Sequence, residues 1–143
     1  MTTMILLALL GAVIAAVIGT LWYSQATPMG KWHMQYLGFD KLTPEEQKQK
    51  IQEAKPKMPR NYGAQLLLSF ATSLFIVFVA SRVGKDVYGY LTMIWAAFVL
   101  PLIGSSMIWS NCDRALVWKR FFSDGLNNLV TYYAIAFVVL LCL

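Results

Sequence analysis

The chain has 143 residues and a formal net charge of +5; 58% of its residues are hydrophobic, 13% are charged, and the mean hydropathy is +0.56. Soluble domains carry roughly 25% charged residues, so a water-soluble fold would have nowhere to hide this apolar surface and that class is excluded. The basic residues are interspersed with Glu and Gln and match no recognised motif, so no nucleic-acid partner is expected.

The charges cluster and leave apolar runs of about 18 to 22 residues, the length that crosses about 30 Å of hydrocarbon at about 1.5 Å per helical residue. Only helices or closed barrels satisfy backbone groups in lipid, and these runs show no strand-type alternation. The expected class is all-α: one domain over 1–143, an integral membrane four-helix bundle with spans at about 4–23, 62–81, 88–109 and 124–143.

The first span, 4–23, carries no charge and ends on Trp22 and Tyr23, residues that favour the headgroup level. No basic residue precedes it, and it is longer than the roughly 7 to 15 residues of a secretory core, so it is expected to be retained. Gly11, Ala15 and Gly19 place small side chains on one face at four-residue spacing, which lets another helix approach closely.

The polar loop, 24–61, divides in two. Met29, Trp32, Tyr36 and Phe39 recur at helical spacing while Lys31, His33 and Gln35 fall elsewhere, the pattern of a short helix lying in the membrane interface. Thr43-Pro44-Glu45-Glu46 is a helix start: Thr43 as N-cap, Pro44 at the first helical position, Glu46 closing a capping box. A solvated linker helix should run to about Ala54 and stop before Pro56, whose predecessor is disfavoured in helical geometry. The pairs Glu46 with Lys50 and Glu53 with Lys57 support an exposed face.

The later spans carry scattered polar residues: Gln65, Ser69 and Thr72 in the second, Asn127 and Thr131 in the fourth. They are candidates for interhelical hydrogen bonds or, in a second reading, for a polar path. Pro101 removes a backbone donor in the third span and predicts a kink. Trp109 and Trp118 join Trp22, Tyr23 and Trp32 as interface anchors. Asp113, Arg114, Lys119 and Arg120, with Asp124 nearby, form a charged boundary between the third and fourth spans. No ionisable group is expected deep in the apolar runs, where it would be costly.

Lys31, Lys41, Lys48, Lys50, Lys55, Lys57 and Arg60 lie in the first loop, and Arg114, Lys119 and Arg120 in the third; the second loop holds Arg82 and Lys85 alone. The excess makes loops one and three cytoplasmic in a plasma or inner membrane, with both termini outside, and draws anionic lipid to that face. Cys112 and Cys142 stand about one membrane thickness apart and should not pair. One histidine and no paired cysteine motif give no zinc site; His33 reads as an interfacial polar residue, and no cofactor is expected.

The stretch Gly19-Thr20-Leu21-Trp22-Tyr23-Ser24, followed by Pro28, Gly30, Lys31 and Trp32, resembles the first-helix motif of the small four-span family catalogued as domain of unknown function 1761. The resemblance extends to Trp95, Phe98, Val99 and Pro101, and to Trp118, Lys119 and Arg120. A proline usually follows the Trp-Tyr pair closely in that family; here Gln25 occupies that region and the proline is Pro28. The resemblance implies the four-span layout and carries no activity.

Three functional readings are open. The favoured one is a non-catalytic structural or accessory component that packs with itself, as a homo-oligomer, or within a larger membrane complex. The second is a small oligomeric transporter or channel using Gln65, Ser69, Thr72, Asn127 and Thr131. The third is a membrane enzyme acting on a lipophilic substrate through Asp113 and Arg114.

Overall fold

Long apolar stretches satisfy their backbone groups internally as helices, and the computed structural model, which describes residues 1–110 and 112–143, is built from them. Among the described residues every regular element is helical: α1 Thr2–Trp22, α2 Pro28–Tyr36, α3 Pro44–Ala54, α4 Met58–Val83, α5 Val87–Ile94, α6 Leu100–Ile108 and α7 Arg114–Cys142.

Three helical runs are long and apolar enough to cross a membrane: Thr2–Trp22, Pro44–Ile108 and Arg114–Cys142. The expected count of four separate helices is corrected on this point, because the second and third candidate spans share one 65-residue run. As expected, α3 stops at Ala54, ahead of Pro56, while the wider helical run continues. The proline sits at the start of a 3-10 turn, Lys55–Lys57, that leads directly into α4, a position where its missing donor costs nothing. The last helix extends beyond the expected span of 124–143: it starts at Arg114, so that Lys119, Arg120 and Asp124 are helical.

Gly84, with φ 57°, reverses the chain, since this left-handed region is open to glycine without steric cost. The arm beyond it folds back along α4, so that Ile76 of α4 and Leu91 of α5 line a common hollow. Between α5 and α6 the helix widens into a π turn, Trp95–Val99, closed by a hydrogen bond from the Leu100 amide to the Trp95 carbonyl. Pro101 comes immediately after it. The kink expected from its missing donor thus takes the form of a π turn.

The core sits at the end of the bundle away from the polar segment. There α1 packs chiefly on α4 and less on α7, joining Leu7 and Ala8 to Ile76, Val77, Ala80, Leu91, Ile135 and Val139. Thr92 Oγ1 and Tyr133 Oη lie 2.6 Å apart, fastening α5 to α7. In the polar segment α3 carries the expected capping box: the Thr43 hydroxyl accepts from the Glu46 amide at 3.3 Å, and the Glu46 carboxylate accepts from the Thr43 amide at 2.8 Å. Those bonds hold the Glu46 carboxyl below its usual pKa.

Candidate functional site

The site begins at the corner between α1 and α2. Thr27 caps α2, its hydroxyl accepting from the Gly30 amide at 3.0 Å and donating to the Trp22 carbonyl at 2.7 Å. A Cβ on Gly30 would run into the carbonyl groups of Tyr23 and Ser24, so only glycine lets α2 fold this tightly over the end of α1. The corner turns α2 onto α7. The Arg120 guanidinium lies 3.8 Å from the Tyr36 ring centroid and the Lys119 ammonium 5.8 Å from that of Trp32, cation–π geometries. Trp22 Nε1 donates to Ser123 Oγ at 3.1 Å.

This docking assembles a polar cluster from residues a hundred positions apart. Tyr23 Oη donates to Asp124 Oδ1 at 2.6 Å, and Arg120 Nε donates to Asp124 Oδ2 at 3.1 Å, the ion pair of this region. The Tyr23 and His33 rings stand 5.0 Å apart. Burial, aided by the Arg120 charge, holds the His33 imidazole below its usual pKa and so neutral. With both carboxylate oxygens engaged, Asp124 serves as a fixed, charge-balanced post rather than an open proton acceptor.

Beyond the cluster α1 and α4 diverge around a cavity of about 1040 Å³. Gln65, Ser69 and Thr72 of α4 line one wall, and Asp124, Asn127, Asn128 and Thr131 of α7 another. Ala15, Gly19 and Thr20 of α1 complete it, and Tyr23 and His33 stand at its mouth. The five candidate polar-path residues therefore share one cavity within one chain. At the inner end Gly11 abuts Ser73 and Ile135, and the core closes the space beyond them. Asn127 Oδ1 and His33 Nδ1 are buried without a protein partner, an uncommon state for polar atoms. Among the described residues no group of three or more His, Cys, Asp or Glu could hold a metal ion.

A family model described as a protein of unknown function (DUF1761) matches residues 6–140. The chain belongs to this family. No curated protein and no solved structure matches it. The DUF1761 match spans every residue of the cavity wall, from Ala15 to Ile135. The motif by which the chain resembles the family is the one that builds the α1–α2 corner: Trp22, Tyr23, Gly30 and Trp32 each make a contact described above.

The small stripe of this DUF1761 chain divides between two environments. Gly11 is in close intrachain contact, whereas Ala15 and Gly19 face the cavity, with nothing within 4 Å of a Cβ placed on Gly19. Asp113 and Arg114 are exposed and do not pair; the charge pairing lies one helical stretch further on, at Arg120 and Asp124. Trp109 and Trp118 are exposed, at 87% and 58%, while Trp22 and Trp32 are engaged in the corner. Cys112 and Cys142 are both free. Trp95, in the π turn before Pro101, donates to the Gly125 carbonyl at 2.7 Å and ties that turn to α7 next to Asp124.

Sequence reasoning missed Asp124 and His33 as cavity residues. A signal for Asp124 existed: Asp124, Asn127, Asn128 and Thr131 follow i, i+3, i+4, i+7 spacing, a polar stripe on one helical face. Nothing local marks His33, whose position depends on the Gly30 corner.

Proposed function

We propose that this DUF1761 chain is a non-catalytic integral membrane carrier that binds a small molecule in the cavity between α1, α4 and α7. The observation that carries the reading is the convergence of Gln65, Ser69, Thr72, Asn127 and Thr131 on a single cavity within a chain whose outer helical faces are apolar, as Leu6, Leu9, Val13, Leu67 and Phe137 illustrate. Polar side chains gathered on one wall between apolar helices are costly in hydrocarbon unless they meet a ligand or water. The lining runs from Asp124, which is paired with Arg120, to Ile135 of the core, an arrangement that suits a carrier filled from the basic end.

The reversal at Gly84 supports four crossings from the three helical runs, since α4, 26 residues long, measures about 39 Å and α5 and α6 return along it. Contacts of Trp32 and Tyr36 with Lys119 and Arg120 gather the first loop and the start of α7 at one end. That end would be cytoplasmic and attract anionic lipid, with both termini outside. The exposed apolar faces leave room for a homo-oligomer or a place in a larger membrane complex.

Thiol accessibility tests the reading. In a background with Cys112→Ser and Cys142→Ser, single Ser69→Cys and Thr131→Cys variants are treated in sealed vesicles with a membrane-impermeant maleimide. Labelling of both from the basic face and of neither from the opposite face is expected. Failure to label either position from either face would remove the cavity from contact with water and sink the carrier reading.

A further inference from the structure

A second, smaller hollow of about 350 Å³ lies between α4 and α5, lined by Ala71, Phe75, Ile76, Leu91 and Ile94. Thr72 and Tyr132 line both this hollow and the larger cavity, so these two side chains are the partition between them. Tyr132 is half-buried, and a change to another of its staggered χ1 rotamers would move the ring that separates them.

Polarity changes in one direction along the joined path. The larger cavity carries Tyr23, His33, Gln65, Asp124, Asn127 and Asn128 toward the α1–α2 corner and Ser69, Thr72 and Thr131 further in; beyond Thr72 and Tyr132 the small hollow is lined by hydrocarbon and one phenyl ring. Such a gradient matches a molecule with a polar head and an apolar tail. Charge matches as well. Asp124 is balanced by Arg120 and His33 is held neutral, so the wall offers no net charge to an ionic head. Asn127 Oδ1 and His33 Nδ1 lack protein partners on two residues that line the larger cavity, and an uncharged hydroxyl or amide is the group that would pair with them.

We infer that the two hollows form one site for an uncharged, single-chain amphipathic lipid, with a hydroxyl- or amide-bearing head between His33 and Asn127 and a hydrocarbon tail passing Thr72 and Tyr132 into the space beside Leu91. The inference rests on the carrier reading and adds to it the class of cargo.

The test uses the full chain in mild detergent and a monoacylglycerol probe bearing a photoreactive diazirine at the far end of its acyl chain. Crosslinks are expected at Phe75, Leu91 or Ile94, and excess monooleoylglycerol should abolish them. Oleate and lysophosphatidylglycerol, with the same tail and an anionic head, should compete at least tenfold less well. Asn127→Leu should weaken probe binding tenfold or more. Leu91→Trp, which fills the small hollow, should remove the tail crosslinks; Ala71→Leu, at its exposed rim, does the same if Leu91→Trp fails to fold. Competed crosslinks confined to the larger cavity, or equal competition by the anionic lipids, overturn the inference. If the probe fails while Ser69→Cys is labelled from the basic face, the cargo class falls and the carrier reading stands. If both fail, both fall.

Discussion

Gly11 and Gly19 lie two turns apart on α1, and replacing each by alanine separates close packing from helix propensity. Both substitutions gain about 1 kcal/mol of intrinsic propensity, so this contribution cancels when the two variants are compared. At Gly11 a new Cβ meets the Ser73 side chain, with Ser73 Cβ and Ile135 Cγ2 each at 3.0 Å. Carbon pairs prefer about 3.5–4.0 Å, so both neighbours must retreat by roughly half an ångström. Neither has free space, since Ser73 is 0% and Ile135 1% exposed. Overpacking of this kind costs about 1–3 kcal/mol, whereas at Gly19 nothing lies within 4 Å. The Gly11→Ala variant should therefore melt roughly 3–10 °C below Gly19→Ala in the same detergent, at about 2–4 °C per kcal/mol. A double-mutant cycle with Ser73→Gly should show a coupling of about 1 kcal/mol or more, because that change vacates the contact. Equal melting temperatures for the two alanine variants, with no coupling to Ser73, would refute the close approach of α1 to α4.

Gly30→Ala should displace α2 from the end of α1, because the Ser24 carbonyl occupies the place of the new Cβ; limited proteolysis within residues 24–43 should become faster, with α4 and α7 unaffected. Tyr23→Phe removes the 2.6 Å hydrogen bond to Asp124 and should lower stability by about 1.5–3 kcal/mol, the range for bonds to charged groups, read by the melting temperature. His33 has a folded-state pKa below its unfolded value near 6.5, so the unfolded chain takes up the proton first. Stability should then decline as pH falls below about 6.5 and level off below the folded value, and His33→Gln should flatten that part of a pH–melting profile.

Local chemistry was legible in the sequence wherever a few adjacent residues decide the outcome. The Thr43 capping box and the start of α3 at Pro44 are set by four consecutive residues. Pro56 was legible as the stop of α3, which ends at Ala54; that a 3-10 turn would lead straight on into α4 was not. The polar residues of α4 and α7 could be recognised as exceptions within apolar runs. Their convergence on one cavity could not, because it depends on α1 touching α4 at Gly11 and leaving space from Ala15 onward. The Tyr23, Asp124 and His33 cluster joins positions separated by 101 residues in one of its bonds, a distance over which no sequence period operates.

The π turn at Trp95–Val99 has a consequence for which faces α5 and α6 present. Leu91 and Met107 are both buried, at 1% and 5% exposure, yet they are sixteen residues apart, which in an uninterrupted α-helix at about 100° per residue sets them about 160° around the axis from one another. A π turn acts as a single-residue insertion, and removing one residue from the count brings the two side chains to within about 60°. One extra residue thus works as a phase shifter, letting a helix whose two halves carry mismatched apolar stripes turn both toward the same neighbour. The segment is therefore asymmetric in its tolerance of length changes. Deleting one of those five positions would close the turn to ordinary α geometry and keep Gly104 against Phe121 of α7, whereas a further residue inserted there has no second bulge to absorb it and would rotate α6 by about 100° away from that neighbour.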